Sequence, residues 1–301
     1  MVSFFVTYDK MKRIKSFNLI CSLEEIKLTQ PKITLTIAGN DASGGAGIGA
    51  DLKTFAEYGT YGIAALTVIA TMDPENNWSH GVTPIDAEIV RTQLVTATAG
   101  PKIDALKTGM LPNVPVIKVI AETIKEKKLE NLVVDPVMVC KGETEVLNPE
   151  NAEALRDLLV PLATIVTPNL FEAGQLSGLG TLKTLDDMKK AAELIHQKGA
   201  QYVVVKGGKA LDGDKAIDIF YDGSDFLILE ADKIEKATNH GAGCTFAAAI
   251  TSGLAQGLEP KEAVLKAKDF VTAAIKNGFE YNQFVGSVFH SGYRLDQQKG
   301  I

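Results

Sequence analysis

The stretch of sequence that decides the fold is residues 33–70, ITLTIAGNDASGGAGIGADLKTFAEYGTYGIAALTVIA. It begins with a short apolar, β-branched run at Ile33–Ala38 and ends with a second such run at Tyr61–Ala70. Between them, Ala50–Tyr58 has the apolar spacing of an amphipathic helix. A strand, a helix and a second strand in this order predict a βαβ unit, whose two strands pair in parallel.

The same alternation continues towards the C-terminus. It predicts further strands at 103–106, 132–134, 164–167 and 202–205, and helices at 85–97, 114–127, 151–159 and 185–198. Two runs at 216–221 and 226–229 flank Asp222-Gly223, which is a hairpin signal. The sequence therefore predicts an α/β fold with a mainly parallel sheet, helices on both faces and a small antiparallel hairpin added at the edge.

The chain has 301 residues, which suffices for one large α/β domain or two small ones. Because no low-complexity linker or repeat interrupts it, we expect a single domain over residues 31–301, with residues 1–30 as an extension of unassigned role. A net charge of −6 argues against broad nucleic-acid binding. No apolar run reaches the roughly 18 residues of a membrane helix. Three widely spaced cysteines do not form a disulfide framework, and we expect a cytoplasmic protein.

Polar residues follow the predicted strands at equivalent places. They are Asn40 and Asp41, Lys107 to Met110, Asp135, Asn169 with Glu172, and Lys206. Ligands of open α/β sheets gather at the carboxyl ends of the strands. Each of these residues alone could belong to a turn, but together they predict one cleft.

The segment His240-Gly241-Ala242-Gly243-Cys244 precedes an Ala-rich helical stretch. The first amides of a helix have no partner within it and bind anions, which would place phosphate oxygens here. Cys244 would lie in the first turn, where we expect a lowered thiol pKa. The alternative is a glycine-rich helix start with a buried cysteine, and the strand-end residues favour the anion site.

Three other segments carry candidate ligand-binding residues, and two of them keep an alternative open. Gly39–Asp51 fits neither a Walker loop nor the G-x-G-x-x-G fingerprint, so it is either a tight turn or a loop that holds a small polar ligand beside Asp41. Asp135 could lie near a Mg²⁺–phosphate group. Asn169 and Glu172 supply oxygen atoms for the same ion or form a helix-capping box.

Six segments together resemble the hydroxymethylpyrimidine kinases and their pyridoxal kinase relatives, a branch of the ribokinase-like superfamily. In order along the chain they are Gly39–Asp51, Lys107–Leu111, Asp135–Met138, Thr167–Ala173, Lys206–Gly208 and His240–Thr245. The resemblance covers residues 32–297. It implies a ribokinase-like fold, ATP, Mg²⁺, a homodimer, and transfer of the γ-phosphoryl group to a hydroxymethyl on a pyrimidine or pyridine.

The resemblance also implies roles for individual residues. The anion hole would be Gly241, Ala242 and Gly243; ATP would contact Asn169, Glu172, Lys206, Gly207, Gly208 and Gly243; Mg²⁺ would lie near Asp135 and Glu172; the substrate pocket would include Asp41, Ala46, Ile69 and Met110. Ile69 stands where pyrimidine-specific members carry Gln. Losing that amide favours a vitamin B6 substrate over hydroxymethylpyrimidine.

In the pyridoxal kinases that this chain resembles, the cysteine of the helix start adds to the aldehyde of pyridoxal. The resemblance therefore implies that Cys244 is the nucleophile and that Cys140, in a lid loop, and His240 relay the proton. Phosphorylation of hydroxymethylpyrimidine or its phosphate is the alternative, and one enzyme could do both. A non-catalytic binding protein is a third reading, against which the intact Gly241–Cys244 segment and Asp135 argue.

Overall fold

The βαβ unit of residues 33–70 opens the central sheet of the structure, a computed structural model that describes residues 30–138, 149–235 and 238–300. The strands of this sheet are β1 (Ile33–Asp41), β2 (Tyr61–Asp73), β3 (Ser79–Pro84), β4 (Ala105–Thr108), β5 (Leu132–Val134), β6 (Ile165–Val166), β7 (Tyr202–Gly208), β8 (Lys215–Tyr221) and β9 (Phe226–Asp232). A separate two-stranded hairpin consists of β10 (Phe279–Glu280) and β11 (Gly286–Ser287).

The strand order is β3-β2-β1-β4-β5-β6-β7-β8-β9. The six strands from β2 to β7 run in parallel, whereas β3 at one edge and β8 and β9 at the other are antiparallel. The predicted mainly parallel sheet with an antiparallel hairpin is confirmed. All parallel strands point their carboxyl ends to one edge, where the polar residues of the sequence segments meet.

The helices cover both faces of the sheet. They are α1 (Gly47–Glu57), α2 (Ala87–Ala97), α3 (Val114–Lys127), α4 (Pro149–Ala154), α5 (Leu170–Ser177), α6 (Leu185–His196), α7 (Ala242–Ala255), α8 (Pro260–Lys276) and α9 (Gly292–Lys299). A π-helical turn at Leu155–Leu159 and a 3₁₀ turn at Val160–Leu162 follow α4. The single helix predicted over 151–159 is therefore divided in two.

Apolar side chains fill the space on each side of the sheet. On one side, buried residues of α2, α3 and α6 pack with Leu35 and Ile37 of β1. On the other side, α7 and α8 pack on Ala105, Val133 and Val204 of neighbouring strands. Because side chains alternate along a strand, every second residue belongs to the layer of α7. The start of α7 therefore lies directly over the carboxyl ends of the central strands.

Three elements of the structure were not predicted. The strand β3 has the polar sequence SHGVTP and forms a hairpin with the extension of β2. The helix α9 and the hairpin β10–β11 are the other two. From Pro31 onward the described residues form one compact unit, and residues 1–29 lie outside the described part. None of the helices in the described part of the chain combines the length and the apolar composition that a membrane span requires.

Candidate active site

A cavity of about 240 Å³ opens where the carboxyl ends of the strands meet the start of α7. Its walls come from β1, β2, the segments that follow β4 and β5, α5, β7 and α7. Of the residues singled out in the sequence, it brings together Asp41, Ala46, Met110, Asp135, Asn169, Glu172, Lys206, His240, Gly241, Ala242, Gly243 and Cys244. The predicted cleft is therefore one continuous space.

The N-terminus of α7 forms one wall of this cavity. Gly241 is the N-cap residue with φ of +83°, a left-handed conformation that favours glycine. A Cβ atom at this position would lie 1.8 Å from the carbonyl oxygen of Gly45, so the loop before α1 and the start of α7 touch through their backbones. No side chain of the described residues caps α7, and Gly241, Ala242, Gly243 and Cys244 at its start all line the cavity. Of their amides, the Ala242 N–H donates to the Asn239 carbonyl at 3.1 Å. This geometry suits an anion.

A second cavity of about 380 Å³ adjoins the first. The two share Asn169, Lys206, Asn239, Ala242 and Gly243 as lining residues. The second cavity also contains Gly207 and Gly208, and apolar residues of α8 and β9 form its far wall, among them Ala231, Val271 and Ile275. The start of α7 therefore lies between two adjoining spaces of different size and lining.

A short hydrogen bond links two side chains in the wall of the first cavity. His240 Nε2 lies 2.6 Å from Asp41 Oδ2, and both side chains are buried. Burial by itself raises the pKa of Asp41, but hydrogen bonds from His240 and Ser43 outweigh it and hold that pKa below its usual value. The backbone of His240 is held by β11, since its N–H donates to the Gly286 carbonyl at 3.0 Å. The imidazole is thereby fixed in place.

Three ionisable groups lie together on the wall of the first cavity, and one of them, Lys206, also lines the second. Lys206 Nζ donates to Asp135 Oδ1 at 2.9 Å. Glu172 is buried beside them, and its pKa is raised to about 7 by burial and by the nearby charge of Asp135, against the opposing effect of Lys206. Asn169 and Glu172 also form a complete capping box at the start of α5. The sequence left two interpretations of Asn169 and Glu172 open, oxygen ligands of an ion or a helix-capping box. The two are compatible, because the residues that cap α5 also line the cavity.

The expected lowering of the Cys244 pKa is wrong in this structure. Cys244 lies in the first turn of α7 and reaches the first cavity. Burial raises its pKa to about 12; Lys107 and a hydrogen bond from the Gly47 amide lower it, while Asp51 and Asp135 raise it further. The prediction considered the helix terminus alone, and the loss of solvent around the sulfur has the larger effect. The thiol is therefore protonated before a ligand binds.

The expected position of Ile69 in the pocket is also wrong. Ile69 is 37% exposed and is not part of the cavity wall, whereas its neighbours Ala70 and Met72 are. Because side chains alternate along β2, a residue beside Ala70 points to the other face. Cys140 and the lid loop lie outside the described residues, so the role expected for them remains a prediction.

Two buried ion pairs of the site were not predicted from the sequence, although its strand end had already placed Lys107 in the cleft. Asp51 and Lys107 form a buried ion pair near Cys244, and Asp218 with Lys268 forms another on the wall of the second cavity. Asp51 sits on α1 and Lys268 on α8, where helical periodicity alone does not distinguish a buried charge from a surface one. The position of Lys107 at a strand end was the available signal.

A mainly parallel sheet with two joined cavities at the uncapped start of a helix defines the class of this protein, a small-molecule kinase of the ribokinase-like fold. The family model described as phosphomethylpyrimidine kinase matches residues 41–289. This chain therefore belongs to the phosphomethylpyrimidine kinase family, as its six segments predicted.

The relatives named as pyridoxine kinases are more similar to this chain than those named as pyrimidine kinases. The pyridoxine kinase of Bacillus subtilis is 60% identical over 264 residues, covering 88% of this chain and 97% of the relative. The hydroxymethylpyrimidine/phosphomethylpyrimidine kinase of the same organism is 39% identical over 260 residues, covering 86% and 95%. Among solved structures, the ADP complex of Bacillus subtilis pyridoxal kinase has a TM-score of 0.86 at 59% identity, covering 88% and 100% of the two chains. Staphylococcus aureus pyridoxal kinase with AMP-PCP and pyridoxal has 0.84 at 55%, covering 88% and 96%.

Proposed function

We propose that this protein is an ATP-dependent kinase that phosphorylates the 5′-hydroxymethyl group of pyridoxal and pyridoxine. The observation that carries the proposal is the shared wall of the two cavities at Gly243. A hydroxyl in the first space and a terminal phosphate in the second would meet at the amides of α7. Relatives named as pyridoxine kinases, at up to 60% identity over most of the chain, support the vitamin B6 substrate.

The first amides of α7 would receive the phosphoryl oxygens. In phosphoryl transfer, most of the catalytic effect comes from position and from stabilising charge on those oxygens. Gly241, Ala242 and Gly243 carry no side chain beyond a methyl group, so a phosphoryl group can approach their backbone closely. Lys206, at the junction of the cavities, adds a positive charge on the same path.

Cys244 would act on the aldehyde of pyridoxal. Its Sγ bonds to the aldehyde carbon, the π electron pair of the carbonyl passes to oxygen, and the thiol proton ends on that oxygen. His240, held by Asp41 at 2.6 Å, is the group that we assign to moving this proton and that of the 5′-hydroxyl. Cys140 would assist from the lid. The protonated state of the free thiol fits this order of steps, because the thiol proton leaves only when the carbonyl of pyridoxal is present.

Asp135 and Glu172 fit a Mg²⁺ ion that arrives with the nucleotide. The described residues contain no group of three or more His, Cys, Asp or Glu placed to hold a metal ion. Mg²⁺ in nucleotide sites commonly uses one or two carboxylates together with phosphate oxygens. Burial raises the pKa of Glu172, so added positive charge nearby would favour its ionised form, which supports a cation at this place. When bound, the ion would neutralise charge on the transferring phosphoryl group.

The pyrimidine substrate remains the second candidate, because the family itself is described as phosphomethylpyrimidine kinase. The cavity wall from β2 consists of Ala70 and Met72, neither of which has a side-chain amide that could pair with an aminopyrimidine. The lack of a side-chain amide at this wall favours a pyridine substrate over an aminopyrimidine. A homodimer in the cytoplasm completes the proposal on family resemblance, and light scattering of the purified protein would test the dimer.

Steady-state kinetics with ATP would test the function. We expect a higher kcat/KM for pyridoxal or pyridoxine than for hydroxymethylpyrimidine and its phosphate. Failure to phosphorylate either vitamer, with rapid phosphorylation of the pyrimidine, would overturn the proposed substrate.

The variant Cys244→Ala tests the thiol separately. Pyridoxine has no aldehyde, so the variant should lose more kcat/KM with pyridoxal than with pyridoxine, by about tenfold or more, which corresponds to about 1.4 kcal/mol. Cys140→Ala should reduce turnover less. Full activity of Cys244→Ala with pyridoxal would refute the role of Cys244 as nucleophile but would leave the proposed kinase function standing.

A further inference from the structure

A fully buried ion pair lies beneath the first cavity, and the proposed reaction does not use it. Lys107 Nζ donates to Asp51 Oδ2 at 2.9 Å, and both side chains are 0% exposed. The Thr36 hydroxyl donates to the same oxygen at 2.6 Å. Asp51 Oδ1 is buried without a hydrogen-bond partner among the described residues. The carboxylate is therefore incompletely satisfied.

The sheet directs this pair towards α7. Ala105 packs in the apolar layer of α7, and Lys107 is two residues further along β4, so both point to the same face. A Cβ atom built on Gly109 would lie 3.3 Å from Lys107 Nζ, and Gly109 lines the first cavity with Cys244. The ammonium group is thus placed directly under the cavity floor.

The pair is poorly explained as a source of stability. Removing two charges from water costs several kcal/mol per ion, and apolar replacements of buried pairs are often neutral or stabilising. The charged groups that act on the Cys244 thiol come from four elements: Asp51 on α1, Lys107 on β4, Asp135 after β5 and Lys206 on β7. Buried charges concentrated around one reactive atom are typical of functional sites.

We propose that Lys107 and Asp51 are positioning residues that set the reactivity of the Cys244 sulfur from beneath the cavity. The ammonium group favours negative charge on sulfur while the S–C bond forms and the thiol proton leaves for the carbonyl oxygen. Asp51 orients Lys107 and, through its own charge, limits this effect, so that the free thiol stays protonated. The chemical use of the sulfur rests on the proposed function, whereas its electrostatic control does not.

Alkylation of Cys244 tests the proposal without substrate or nucleotide. The full-length protein is treated with iodoacetamide over pH 7–10, and the modified peptide is quantified by mass spectrometry. Lys107→Met should slow alkylation about tenfold, the change in thiolate fraction that one pKa unit gives. Asp51→Asn should accelerate it about threefold, which corresponds to half a pKa unit. Opposite signs support the electrostatic role, and changes of the same sign, or none, overturn it.

Lys268→Met is the matched control. It removes another buried ion pair, Lys268 with Asp218, whose side chains are 11% and 9% exposed, and it should leave the alkylation rate unchanged. If Lys107→Met does not fold, the alkylation rate and hydrogen exchange of Asp51→Asn decide whether the proposal stands. Faster alkylation with unchanged hydrogen exchange in residues 242–250 supports the proposal, whereas equally faster exchange would mean a loosened helix and would overturn it. A kinase that proved inactive on vitamin B6 would refute the proposed function without changing these rates.

Discussion

Replacing Gly241 by alanine should disable the kinase far more than it destabilises the fold. At φ of +83°, an alanine costs about 1–2 kcal/mol from backbone conformation alone. Its Cβ would also lie 1.8 Å from the Gly45 carbonyl oxygen, whereas ordinary contact begins at 3.4 Å. The loop before α1 and the start of α7 must therefore separate by about 1.6 Å, the difference between these two distances. A misplacement of about 1 Å in an active site can cost about 100-fold in rate.

Gly257 provides the matched control at the other end of α7. Its φ is +86°, and no atom of the described residues lies within 4 Å of an added Cβ. Gly257→Ala should therefore carry the same conformational cost, lower the Tm by roughly 2–6 °C and leave kcat/KM unchanged. Gly241→Ala should lower kcat/KM at least about 100-fold. Equal activity of the two variants, measured by coupled ADP release and thermal melts, would show that the Gly45–Gly241 contact does not position the site.

Three further variants follow from individual contacts. Glu172 has a pKa of about 7 in the folded protein against an ordinary 4.5, so the folded state holds its proton more tightly and stability falls as pH rises through that window, by up to about 3 kcal/mol. Glu172→Gln should therefore melt higher than the parent at pH 8 but not at pH 4.5, and a variant less stable at pH 8 would contradict this. His240→Asn should lower kcat for pyridoxal by about 100-fold with the KM for ATP unchanged, and a change in the nucleotide KM alone would argue against a proton relay. Asp218 accepts hydrogen bonds from the Gly208 amide at 3.0 Å and from Lys268 Nζ at 2.6 Å. Asp218→Asn should raise the KM for ATP but not for pyridoxal, and an equal rise in both would assign it a general structural role.

The sequence predicted those helices and strands that carry their own capping residues or an apolar run that is buried in the structure. The predicted helix 114–127 coincides with α3 because Asn113 caps it, a proline lies in its first turn and lysines end it. The strand at 132–134 coincides with β5, whose three residues are all buried. The strand β3 was missed because its sequence is polar and exposed, so only pairing with β2 defines it. Such a strand leaves no periodic signal of its own.

The site was predicted as a set of residues but not as an electrostatic system. Strand ends located Asp135 and Lys206 in one cleft, because parallel strands end at the same edge. The pKa of Cys244 was predicted with the wrong sign, since burial around sulfur depends on side chains from distant parts of the chain. The orientation of Ile69 depended on the phase of β2, which one residue reverses.

The arrangement of charges explains how an acidic chain can hold a nucleotide. The protein has a net charge of −6, so its long-range field would repel ATP. At the cavity, however, Lys107 and Lys206 are each held by one carboxylate, which limits the cost of burying them. Lys206 is 17% exposed at the junction of the two cavities and can turn towards phosphate oxygens, whereas Lys107 is fully enclosed and can act only through space. Two lysines of the same sheet, both paired with aspartate, are thereby suited to different tasks: Lys206 to contacting an incoming phosphate, and Lys107 to acting on the sulfur without contact.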